Sequence, residues 1–140
     1  MPDPEKVIIV VGEWVVKAEN DLKNAAHSLE LEQNCPTDTV CFHAQQIIEK
    51  YLKSLLTLRG IPFPKTHSIK ELINLLPARI RPNLSKDDQD KLTDYATGAR
   101  YPGWGEIPLT EARQAVQLAR RVRKEIRRFL PNELLSKKER

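Results

Sequence analysis

Two groups of residues in this 140-residue chain have the types and spacing to do chemistry. The first is His43, Gln46 and Lys50, three and four residues apart, which places them with Ser54 along one flank of a helix. A histidine there could move protons, and a lysine could meet a phosphate. The same seam also fits the wet edge of a core helix. The second is Arg100-Tyr101, followed by Trp104. A guanidinium presents a planar fork of donors suited to phosphate, and the two aromatic rings offer stacking surfaces for a base. Arg100 could instead pair with a helix end, Tyr101 could pack in the core, and Trp104 could fill a subunit interface. His67, just ahead of a helix start, suits packing, though it stays a candidate contact. Metal chemistry is not expected. Cys41 and His43 are two apart and point different ways on a helix, and no Cys-x-x-Cys or His-x-x-x-His pair exists. No other cofactor is expected either.

The elements that must position these residues read as helices. Val40, Ala44, Ile47, Ile48, Tyr51, Leu55 and Leu58 recur at helical intervals, giving a buried stripe over residues 40–58. Thr37 or Asp38 is available to cap this helix, and Gly60 with Pro62 and Pro64 should end it. Phe42 falls opposite the stripe, near Glu49 and Lys53, which suggests contact with another helix or a second subunit.

Upstream, Asp3-Pro4 is an N-cap with proline at the first helical position. Val15, Ala18, Leu22, Ala25 and Leu29 then form a narrow seam, so a first helix should run to near residue 31. A strand over residues 7–11 is the alternative, but it would have no second strand to pair with. Downstream, Ser68 and Glu71 have capping-box spacing for a short third helix ending at Pro77. Ser85, with Asp87 and Asp88, opens a fourth helix with buried Leu92, Tyr95, Ala96 and Ala99. Residues 98–105 form a loop holding three of the five glycines. A fifth helix over residues 110–130 buries Ala112, Ala115, Ala119, Val122, Ile126 and Phe129. The expected body is one domain, residues 3–131, followed by a basic, frayed tail, residues 132–140.

The formal charge of +4 conceals an asymmetry. Residues 113–128 alone carry +6, which leaves the rest of the chain near −2. That face could track phosphates, pair with an acidic protein, or simply be solvated. Hydrophobic residues at 40% and charged residues at 30% fit a globular helical protein rather than disorder. The apolar run at residues 7–11 is too short to cross a bilayer and lacks a basic leader. Cytoplasmic residence, reduced Cys35 and Cys41, and no membrane partner are the expectations.

Three ordered blocks resemble the HEPN family: Phe42-His43-Ala44-Gln45-Gln46 running into Glu49-Lys50-Tyr51-Leu52-Lys53-Ser54-Leu55-Leu56, then Arg59-Gly60 leading to Lys65-Thr66-His67-Ser68, then Ala99-Arg100-Tyr101-Pro102-Gly103. Ala18-Glu19-Asn20-Asp21-Leu22 fits the same family's opening helix, and the likeness covers about residues 11–130. The resemblance implies an all-α, up-and-down bundle of about five helices of four-helix-bundle type, commonly a homodimer. It also implies binding of a nucleotide or RNA beside a partner minimal nucleotidyltransferase, in some pairs as toxin and antitoxin. Other members cleave RNA without metal, using an arginine followed after four to six residues by a histidine. Here those positions after Arg100 hold Gly105, Glu106 and Ile107, and no histidine follows His67. The standard ribonuclease chemistry lacks its usual proton carrier, so His43 or Glu106 would have to supply it. A non-catalytic protein-interaction module is the remaining alternative.

Overall fold

The computed structural model describes residues 3–135. Its centre is α2, Thr37–Leu58, in which Val40, Ala44, Ile47, Ile48, Tyr51 and Leu55 are all fully buried, as their spacing predicts. Burial extends well beyond that stripe. Leu52, Leu56, Gln45 and Ser54 are equally inaccessible, and Glu49 and Lys53 nearly so. Neighbours therefore enclose α2 on almost every side, and its polar residues must find partners inside the protein.

The first neighbour is α1, Pro4–Leu29, which Asp3 caps by accepting the Glu5 N–H at 3.0 Å. It buries Val11, Val15, Ala18, Leu22 and Ala25, so residues 7–11 are helical, and among the described residues there is no strand. A 3-10 turn, Glu32–Asn34, reverses the chain into α2. Neither Thr37 nor Asp38 caps α2. Pro36 holds the N-cap position, and the Asp38 carboxylate instead accepts the Thr39 N–H at 2.7 Å, satisfying a first-turn donor from within the helix. Gly60 takes φ +69 just past the helix end, a conformation that favours glycine.

Next, α3, Ile69–Leu75, is capped by Ser68, which accepts the Glu71 N–H at 3.2 Å. The return arm of the capping box is missing, because the Glu71 carboxylate accepts the Thr66 hydroxyl at 3.0 Å. Ser85 opens α4, Lys86–Ala96, by accepting the Asp88 N–H at 3.1 Å. A 3-10 turn, Gly98–Arg100, leads through an exposed loop to α5, Leu109–Arg127. Phe129, read as a core residue, lies past the end of α5 and is 41% exposed.

Long-range pairs fix the directions of the helices. Asp21 meets His43 and Lys50, Tyr95 meets Glu111, Arg121 reaches back to Asn83, and Arg127 meets Tyr51. The helices α1, α2, α4 and α5 thus alternate in direction around α2, with α3 in the connection, an up-and-down bundle as expected. Packing continues past residue 131. A 3-10 turn, Asn132–Leu134, follows Pro131, and Leu135 is buried with the core. The predicted frayed tail therefore does not begin at 132, since the apolar Leu134 and Leu135 have a surface to cover. Its remainder, 136–140, lies outside the described residues. No helix of the described chain is long and apolar enough to cross a membrane.

Both cysteines are free thiols, and burial pushes Cys41, beside Glu111, up to about 12. Cys35 is only half-buried. Alkylation with iodoacetamide at pH 8 should therefore label Cys35 and spare Cys41 until denaturant is added. Equal labelling of both in the native protein would refute the packing around Cys41.

Candidate functional site

The predicted seam of α2 splits into separate environments once α1 packs against it. His43 and Lys50 turn toward Asp21 of α1: the His43 Nδ1 lies 2.8 Å from Asp21 Oδ1, and the Lys50 ammonium donates to Asp21 Oδ2 at 2.5 Å. Both oxygens of a nearly buried carboxylate are thereby used. No buried side-chain nitrogen or oxygen among the described residues lacks a partner, so the other ring nitrogen of His43, with none, reaches solvent. Asp21 fixes the ring and presents Nε2 outward, an arrangement able to carry a proton.

Gln46 does not join this group. Its amide donates to Gln45 Oε1 at 2.6 Å in the buried layer, and Ser54 donates to the Tyr51 carbonyl at 2.6 Å. In that layer Glu49 accepts from Gln45 at 2.8 Å and from Lys53 at 3.1 Å, and meets the His67 Nδ1 at 2.8 Å. The ammonium of Lys53 lies 5.5 Å from the Trp14 ring and 5.8 Å from the Phe63 ring. This group is scaffold. It ties the 61–68 connection to α2 through His67, in keeping with the packing role that its place at a helix entry suggested.

A third cluster joins three helices. Glu19 of α1 accepts from the Tyr51 hydroxyl at 2.6 Å and, in a two-point contact, from Arg123 Nε at 2.7 Å and Nη2 at 2.8 Å. Arg127 donates to the Tyr51 hydroxyl at 2.8 Å. Burial alone would raise the Glu19 carboxyl, but the hydrogen bonds from Arg123 and Tyr51, with the charges of Arg123 and Arg127, outweigh it and hold Glu19 below the ordinary range. The same pairing with Glu19 raises Arg123.

Arg100 differs from these. It ends the 3-10 turn after α4, is exposed, and lies over the Phe42 ring with its guanidinium carbon 3.9 Å from the centroid. Its one internal hydrogen bond is a long 3.4 Å contact to the Ala96 carbonyl, and among the described residues it has no ion pair. Ala96 is the last residue of α4, so Arg100 does reach a helix end, through a carbonyl and not a carboxylate. The His43 ring packs on the same Phe42, centroid to centroid 5.8 Å, so Arg100 and the Asp21-oriented histidine share one aromatic support. Phe42 does contact another element, as its place on the polar face suggested. Tyr101 is 63% and Trp104 45% exposed, so Tyr101 is not a core residue. Trp104 covers Gly98, where an added Cβ would come within 3.2 Å of the indole, and is flanked by Gly103 and Gly105, both at φ +96. Glu106, the other suggested proton carrier, lines a separate cleft with Cys35 and Asp38.

Residues 11–129 match the family model described as the HEPN domain. The chain belongs to the HEPN family. It matches no curated protein and no solved structure. In this HEPN domain the family blocks converge as follows: Phe42-His43 and Arg100-Tyr101, fifty-odd residues apart, come together on one face, whereas Gln45, Gln46, Glu49 and His67 are joined by hydrogen bonds to one another. Sequence reading missed Asp21 and Glu19. The available signal was the block Ala18-Glu19-Asn20-Asp21-Leu22 of the opening helix, which holds both.

Proposed function

We infer that this HEPN domain binds a nucleotide or RNA through the face built by Arg100, Phe42, His43, Tyr101 and Trp104. One observation carries the reading: an exposed guanidinium with no carboxylate partner among the described residues, held over Phe42 beside an oriented histidine and two exposed aromatic rings. Arg100 supplies a fork for phosphate, and Tyr101 or Trp104 a surface for the base. Family membership supports action beside a partner minimal nucleotidyltransferase, as the toxin-side component of a pair, and assembly as a cytoplasmic homodimer. Ile9 and Val16, one face of α1 and both more than half exposed, add apolar surface that a twin copy would cover.

The test is calorimetry with ATP and with a short RNA. Arg100→Ala, at an exposed position, should leave the thermal midpoint within about 2 °C while weakening binding roughly 10- to 100-fold, the worth of a charge-assisted phosphate contact. Unchanged affinity in the variant, or none in the wild type, overturns the assignment and leaves a protein-interaction module as the better reading.

A second reading rests on the Asp21–His43 pair, namely metal-independent cleavage of RNA with His43 Nε2 as the proton carrier and Arg100 facing the phosphate. Cleavage in the presence of EDTA that disappears in both His43→Ala and Arg100→Ala would establish it. Cleavage that persists in both would trace to a contaminant.

A further inference from the structure

On the side of the bundle formed by the C-terminal half of α5 and the turn after it lies an open cleft of about 620 Å³. It is lined by Arg120, Arg123, Lys124, Arg127, Arg128, Asn132 and Leu135. Of these seven described residues five are cationic and none is acidic. Two of the cations have structural work, since Arg123 is held by Glu19 and Arg127 by Tyr51. The other three, Arg120, Lys124 and Arg128, are exposed and make no ion pair among the described residues. The acid on this stretch of helix, Glu125, is turned away and accepts the Asn83 N–H at 3.1 Å.

The three exposed cations are four residues apart, so they form a row rising about 6 Å per step and about 12 Å in all. A row of that length is long enough to face two or three successive phosphates of one strand. The cleft lacks what a protein partner would need. A protein interface of useful affinity is built on apolar or aromatic anchors and is poor in lysine, whereas Leu135 is the one apolar side chain among the described residues lining this cleft. A phosphodiester chain needs no such anchor.

We propose that this cleft is a second binding site, one that holds the backbone of a single-stranded polynucleotide through its phosphates without reading sequence. It is separate from the Arg100 face. None of the described side chains lining it belongs to that face, which is built on Phe42, His43 and Arg100. The site would hold strand already engaged, or awaiting engagement, at that face. It does not depend on the nucleotide-binding reading, and either site can fail alone.

The experiment measures fluorescence anisotropy of a labelled 20-nucleotide oligouridine against salt, for wild type and for R120Q/K124Q/R128Q. All three positions are exposed, so the variant should keep its helical circular dichroism and thermal midpoint. Neutralising three phosphate contacts should make the slope of log affinity against log salt shallower by about 2, at roughly 0.7 per contact on a single strand. Each single glutamine variant should account for about a third of that. Binding of ATP should be unchanged in the triple variant, which separates this site from Arg100. Equal slopes in wild type and variant, or no oligouridine binding by wild type, would each overturn the proposal. If the triple variant unfolds, the three single variants carry the same test.

Discussion

Replacing Glu19 with alanine is expected to destabilise the protein by about 3–5 kcal/mol, the usual cost of removing one partner from a buried ionic cluster. Glu19 is 6% exposed and accepts hydrogen bonds from Tyr51 and Arg123 on two other helices, with Arg127 also close. Without it, guanidinium charge and a phenol remain in a site whose carboxylate is gone, and three helices lose a shared pin. For a chain of this size the thermal midpoint should fall on the order of 10–20 °C. A fall under about 3 °C would show that the cluster contributes little.

The same residue gives a pH dependence of known sign. The folded state holds the Glu19 carboxyl below its ordinary 4.5, so near that pH the unfolded chain binds more protons. The stability from this group is therefore fully present above about 4.5 and is lost as the pH falls through the lower folded-state value. Thermal midpoints at pH 7, 5, 4 and 3 should show a steeper acid fall for wild type than for Glu19→Gln.

The second large effect is expected for Glu49→Ala, again about 3–5 kcal/mol by the same cost of breaking a buried pair. Glu49 is 3% and Lys53 7% exposed, and Lys53 is enclosed by the rings of Trp14 and Phe63. Removing the carboxylate strands that ammonium in an apolar setting. It also releases His67, so trypsin should cut faster at Lys65, in the connection His67 tethers. The double variant E49A/K53M should recover much of the loss, because methionine fills the space between the rings without a charge to satisfy. If the double variant is no more stable than Glu49→Ala, the stranded charge is not the cause.

Neither Glu19 nor Glu49 stood out in the sequence as a partner to anything. Glu49 lies in a polar register of α2 that periodicity assigns to solvent, and that register is buried because residues 61–68 fold back over it. The caps tell the opposite story. Asp3, Ser68 and Ser85 act on amides two or three residues away, and each was readable where it stood. Thr37 and Asp38 failed as caps for a local reason, Pro36 having taken the position.

Of the candidate site, the residue types were legible and their grouping was not. His43, Gln46 and Lys50 share a flank of one helix, yet Asp21 on another helix claims the first and third while Gln46 turns inward. Arg100 and Phe42 come together only because the turn after α4 lies against the N-terminal half of α2.

The sequence by itself determined the five helices, the caps of the first, third and fourth, most of the buried stripes, the family, and the concentration of positive charge on the last helix. These are properties of short-range spacing, since a residue's place on a helix depends on the few residues around it. The tertiary structure alone decided that Asp21 orients His43, that Glu19 pins Arg123 and Tyr51, that Arg100 keeps its charge available on Phe42, and which cations of α5 face solvent rather than Glu19. Those outcomes depend on how helices distant in the chain pack against one another, and no spacing within a single helix encodes that.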